Sequence, residues 1–131
     1  AADYPMAGCP RTARLVMCRP ETIVGRKLHA LHHMGMFHWR AKDLNDVRLL
    51  LGRVSLDPAE LPGAIAASFT SRGDPAGAAR SLFHRPWWAM KRSAARWQDF
   101  ARSRGPDVPA GLNGVLAEVA GRLAPILGDL P

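Results

Sequence analysis

A chain of 131 residues, 47% hydrophobic and 22% charged, can bury one modest core and has no room for two independent domains of ordinary size. No apolar run approaches the roughly 18–20 residues that a membrane-spanning helix needs. The net charge of +7 favours anionic partners such as nucleic acid, nucleotide or an acidic protein, although 18 basic residues spread along the chain also suit a plain solvated surface.

The opening stretch, AADYPMAGCP, shows neither the basic start nor the apolar run of an export signal. Cys9 and Cys18 lack metal-site spacing and point to a reducing cytoplasm. Residues 12–18, TARLVMC, read as a short strand with no partner strand in the sequence, so its pairing edge must be met by something else. Pro20-Glu21 then starts a helix that runs to about Met34–Gly35, with Gly35 as C-cap and GMFHWR as a connection. A second helix takes Ala41 to about Gly52, with Asp43 near its N-terminus, where the macrodipole favours a negative charge. In SLDPAELPGAIAASFTSRGD, Asp57, Pro58 and Glu60 signal a third helix start, Pro62 breaks or kinks the helix, and Arg72-Gly73 ends it. DPAGAARSLFHR reads as a loop, and residues 86–104 as a helix with Trp87, Met90, Ala94, Trp97 and Ala101 on one face. After the linker GPDVPAG, a last amphipathic helix spans about 110–127 through Leu116, Val119, Leu123, Ile126 and Leu127. The expected fold is α+β and predominantly α-helical, a single domain over 1–131 with one short N-terminal strand.

Two charges break the pattern. At about 100° per residue, Ile23, Val24, Leu28, Ala30, Leu31 and Met34 form one apolar arc, and Lys27 falls inside it. Arg26, His29 and His33 lie on the opposite, polar side. In the second helix Leu44, Val47, Leu50 and Leu51 form the arc, Asp43 falls inside it, and Asp46 sits one step to its side. Two antiparallel helices with a short connection would pack these stripes together and bring Lys27 to Asp43 and Asp46. A buried lysine without a partner is costly. The alternative is that Lys27 reaches out to water along its aliphatic stem while Asp43 merely caps its helix.

His29 and His33 are i,i+4 neighbours that could share a zinc, but the Glu of HExxH is missing and no cysteine is near, so an exposed His-rich face is the simpler account and no metal ligand is assigned. His38 and Trp39, just before Arg40, could line a base or nucleotide. In RPWWAMKRSAARWQDFARSR, Trp87, Met90, Ala94 and Trp97 have core spacing, which leaves Trp88 with Lys91, Arg92 and Arg96 for nucleic-acid contact. RGDPAGAAR does not match a phosphate-binding P-loop, and no Ser–His–Asp or Cys–His arrangement is readable.

The order of these pieces resembles the nucleotidyltransferase toxins of the AbiEii/AbiGii type. The likeness rests on Pro20-Glu21-Thr22, Lys27-Leu28-His29-Ala30-Leu31, Arg40, Lys42-Asp43 and Asp46, followed by Ala64-Ile65, Phe69 and Arg72-Gly73. It runs from about residue 12 to 73 and more loosely beyond, and Lys…Arg-x-Lys-Asp-x-x-Asp is its most specific part. The resemblance implies that Lys27 lies near the triphosphate of an NTP and stabilises charge during transfer. It also implies catalytic acids in Asp43 and Asp46, and nucleotide or substrate contacts in Arg40 and Lys42.

Such enzymes carry a Gly-Ser…Asp-x-Asp motif whose carboxylates hold Mg²⁺. This sequence contains neither a Gly-Ser pair nor an Asp-x-Asp, and the motif should come earlier in chain order. The expectation is therefore the C-terminal helical half of a nucleotidyltransferase-like fold, with the N-terminal metal-binding lobe absent. Mg²⁺ and NTP would bind the complete enzyme, and this chain alone would not transfer nucleotides. The complete protein would move nucleotides from an NTP to an RNA acceptor such as tRNA, with toxic effect, opposite a cognate antitoxin and in phage defence. The alternatives are a non-catalytic basic helical module that binds nucleic acid or protein, and a decayed product with no activity.

Overall fold

The computed structural model describes residues 19–130, and these form a helical bundle. Its α-helices are α1 (Pro20–His38), α2 (Ala41–Arg53), α3 (Leu61–Thr70), α4 (Gly77–Ser81), α5 (Lys91–Arg104) and α6 (Leu112–Gly128), with 3-10 turns at Leu82–His84 and Pro86–Ala89. Among the described residues there is no strand; the one expected over 12–18 lies outside them. The β part of the expected α+β class therefore falls outside the described region, and what is seen is helical.

Helix boundaries follow local chemistry. Pro20 sits in the first turn of α1, where a missing N–H leaves no acceptor unserved. Gly35 adopts φ 66°, a backbone state open to glycine, so the helix kinks there before one further turn, and the Trp39 N–H closes on the Gly35 carbonyl at 2.9 Å. Pro62 does not break α3 but starts it, because first-turn N–H groups have no intrahelical acceptor to lose. Asp57 caps the turn before it: its Oδ1 accepts the Ala59 N–H at 2.9 Å, and its carbonyl accepts the Glu60 and Leu61 N–H groups. At the other end Gly73 (φ 84°) lets its own N–H reach the Thr70 carbonyl and the Asp74 N–H reach that of Phe69, a Schellman termination.

Two segments depart from the sequence pattern. DPAGAARSLFHR is not a loop but contains α4 and a 3-10 turn, held down by buried Ala79 and Leu82. The helix expected over 86–104 is broken at Met90, whose extended backbone (φ −71°, ψ 145°) separates the Trp87–Trp88 turn from α5. That break rotates Met90 to the surface and turns Trp88 inward.

The core lies where α1 packs between α2 and α3 while α6 returns across α2, α3 and α5. Val24, Leu28 and Leu31 meet Leu44, Val47, Leu50, Ile65, Phe69, Val119 and Leu123 there, all fully buried, each contributing about 1.5–3 kcal/mol by leaving water. Buried Glu21 accepts the Asp57 N–H at 2.9 Å and ties the start of α1 to the turn before α3. Arg80 donates to the carbonyls of Leu127 (3.0 Å) and Leu130 (2.8 Å), serving acceptors at the C-terminal end of α6. No helix among the described residues is long and apolar enough to cross a membrane.

The approach of α1 to α3 depends on Gly25, where an added Cβ would lie 2.7 Å from the Ala64 carbonyl oxygen and 2.6 Å from Ser68 Oγ. Gly25→Ala is expected to destabilise the protein by about 1–3 kcal/mol, because a backbone oxygen cannot step aside as a side chain can. Gly63→Ala, in the same region but with open space at its Cβ, is expected to be neutral or slightly stabilising. Urea unfolding of the two variants checks the contrast.

Candidate functional site

The site begins with two helices whose apolar faces each carry a charge. The antiparallel packing of α1 and α2 brings Lys27 Nζ to 3.0 Å from Asp43 Oδ1 and 3.2 Å from Asp46 Oδ2. Asp43 occupies the first turn of α2, where free N–H groups favour its carboxylate, and its side chain is 8% exposed. Lys27 keeps 27% of its side-chain surface in contact with solvent, so the ammonium stands at the boundary of the core. Burial alone would lower the Lys27 pKa, but hydrogen bonds and charge from Asp43 and Asp46 outweigh it and hold the group above its ordinary value of 10.5. The lysine is therefore a fixed cation at neutral pH. Lys42 reaches Asp46 Oδ2 at 3.1 Å from one turn away, so two ammonium groups share that carboxylate.

Arg40 precedes α2 with its side chain exposed. It takes part in none of the ion pairs formed among the described residues. The other basic candidates divide. Lys91 and Arg92 are on the surface, with the Arg92 guanidinium 4.9 Å from the centre of the Phe37 ring. Arg96 donates to the carbonyls of Phe37 (2.8 Å) and Trp39 (3.1 Å), so it clamps the α1–α2 connection. Trp88 is 4% exposed, donates its indole N–H to the Leu82 carbonyl at 2.8 Å and packs on Trp87 and Trp39. It has no free face on which a base could stack.

The expected exposed histidine face holds for His33 and His38, but His29 is enclosed and His32 is half-buried. His29 is 5% exposed, packs edge-on against Phe69, and its Nε2 lies 2.7 Å from Asp74 Oδ2, with His32 Nε2 at 3.7 Å from the same oxygen. Arg85 lies 3.1 Å from His32 Nδ1. Nothing in the spacing of α1 signals this cluster. Its one local sign is Arg72-Gly73-Asp74, where a glycine able to take positive φ turns an acid back toward α1. Trp39 is also buried, and its indole N–H has no partner among the described residues.

Comparison with known proteins bears on what this ion cluster belongs to. The model of a family described as "Nucleotidyl transferase AbiEii toxin, Type IV TA system" matches residues 4–119. The chain belongs to this AbiEii family. No curated protein and no solved structure matches it. Within the AbiEii match lie Lys27, Arg40, Lys42, Asp43 and Asp46, and the helices that position them.

Two outcomes are expected. Lys27→Met leaves Asp43 buried without its cation and should cost about 1–3 kcal/mol, the partial exposure of the pair reducing the penalty of a fully buried one. Lys27→Met/Asp43→Asn should lose less than the sum of the single changes, a coupling that denaturant titration measures. The second concerns His32, whose pKa burial lowers below 6.5, with the Arg85 charge adding to the effect and Asp74 opposing it. A histidine lowered in the folded state contributes stability above its unfolded pKa and loses it as pH falls through the folded one. Unfolding free energy should therefore drop as pH falls below 6.5, and His32→Gln should flatten that part of the profile.

Proposed function

We propose that the chain supplies the lysine–aspartate part of a nucleotidyltransferase site, which moves a nucleotide from an NTP to an RNA acceptor such as tRNA. The observation that carries this reading is the Lys27 ammonium fixed between Asp43 and Asp46 at the solvent boundary of the core. In such a transfer an acceptor hydroxyl gives up its proton to water as its oxygen bonds to the α-phosphorus, the bond from that phosphorus to the bridging oxygen breaks, and pyrophosphate leaves with the charge. Lys27, held as a cation, would neutralise charge on the phosphates as the leaving group departs. Asp43 and Asp46 would keep it charged and aimed, and Arg40 and Lys42 would add positive charge beside the same helix end.

Mg²⁺ does not fit these residues as they stand. Among the described residues no group of three or more His, Cys, Asp or Glu side chains converges on a metal position. Asp43 and Asp46 also already share the Lys27 ammonium. We assign the metal to the carboxylates of a Gly-Ser…Asp-x-Asp unit, which this sequence does not contain. The chain is then the helical half of the complete site, and its toxicity would be held in check by an antitoxin partner.

The test is incorporation of labelled nucleotide into tRNA, with the 131-residue chain alone and with a lobe bearing the Asp-x-Asp motif. The expected result is no incorporation by the chain alone, and incorporation with the lobe that falls by about 10²–10³ in Lys27→Ala. Incorporation by the chain alone would overturn the division of the site. Full activity of Lys27→Ala would overturn the role of the lysine.

A further inference from the structure

On the side of α1 facing α3, away from α2, Thr22 and Arg26 face Ala67, Ser68, Ser71 and Arg72 across an open groove of about 300 Å³. Thr22 and Arg26 are one turn apart on α1, Ser68 is on α3 and Arg72 lies in the turn that ends α3, so four polar groups line the groove from its two sides. Neither arginine has a carboxylate partner among the described residues, whereas Arg19, Arg102, Arg122, Lys27 and Lys42 all do. Arg72 is pre-set: one amino group donates to the Ser68 carbonyl (3.1 Å) and the Ser71 hydroxyl (3.3 Å), leaving its remaining N–H groups for something else. Ser68 is 5% exposed and lines the groove, with its hydroxyl packed over Gly25. Two uncompensated guanidinium groups, hydroxyl donors and a small-residue floor make a receptor for a tetrahedral oxyanion.

We infer that this groove binds a backbone phosphate of RNA, as a subsite separate from the Lys27 cluster. This deepens the proposed function, since it rests on the acceptor being RNA. The chemistry of the groove favours a phosphodiester over a whole nucleotide. It offers no aromatic face for a base and no side-chain amide to read a base edge, only donors suited to phosphate oxygens. Arg26 and Lys27 are consecutive on α1, and their side chains leave the helix about 100° apart. An RNA strand held in the groove therefore runs within reach of the site at which nucleotide is added, and the groove grips it without regard to sequence.

The experiment is fluorescence anisotropy of a labelled single-stranded RNA with the full 131-residue chain, without NTP, over a range of salt. The expected result for Arg26→Ala/Arg72→Ala is binding weakened at least about tenfold, with the salt slope reduced by about 0.7, the value for one lost phosphate contact on a single strand. Ala67→Glu, which keeps both arginines but sets a carboxylate on the floor, should weaken binding similarly and serves if the double variant is unstable. Arg104→Ala, on the surface of α5 and in neither cluster, should bind RNA nearly as well as the parent, so general loss of charge and loss of this subsite read separately, and with no NTP present the measurement does not depend on transfer. Failure of the parent to bind RNA, or unchanged affinity and slope in the groove variants, would overturn the inference. So would displacement of the RNA by low-millimolar inorganic phosphate, which would mark a pocket for the free ion.

Discussion

Where α1 crosses α3, the absence of a side chain at Gly25 lets the two backbones close until an added Cβ would meet the Ala64 carbonyl oxygen at 2.7 Å. This contact sets a second wall against α1, whose other side already packs on α2. A helix covered on two sides buries more than one stripe, and that condition governs most of what surrounds it. It encloses His29 against Phe69 and Asp74, and it places Ser68 directly over Gly25. It also forms the groove between Arg26 and Arg72. On the α2 side it keeps Lys27 close enough to Asp43 and Asp46 that desolvation of the lysine is offset by their charge.

The two faces of α1 thus carry different electrostatics. Toward α2 the positive charge is matched: one lysine against two carboxylates, with Lys42 completing the balance at Asp46. Toward α3 it is unmatched, because Arg26 and Arg72 have no acidic partner among the described residues. A matched cluster near the core holds one geometry and suits a role in positioning. An unmatched pair on an open groove attracts a mobile anion and suits a role in capture. On the proposed reading the two roles would be complementary, one on each face of the same helix.

Arginines acting on carbonyls, rather than on carboxylates, hold the periphery. Arg80 closes the end of α6, and Arg96 fixes the α1–α2 connection. Arg80 and Arg96 are therefore structural parts and not a nucleic-acid footprint, since each guanidinium group is taken up by two backbone oxygens. The same holds for the tryptophans. Trp88 and Trp97 each donate to a carbonyl inside the fold, so aromatic interleaving with basic residues marks packing here and not base stacking.

The sequence by itself determined the helical periods, the start at Ala41 and the clash between charge and apolar stripe at Lys27 and Asp43, while the end expected at Gly35 is a kink in a helix that runs on to His38. These are local or nearest-helix properties, set by backbone sterics and by a 3.6-residue repeat. The motif order around Lys27 and Asp43 also pointed to the AbiEii family, to which the chain belongs. Only the tertiary structure decided that His29 is enclosed, that Trp88 turns inward, that DPAGAARSLFHR folds into helix and that Arg26 faces Arg72. Each of these depends on which second surface covers a helix, or on a backbone break such as that at Met90. A one-helix periodicity describes a single buried stripe and carries no information about a second one.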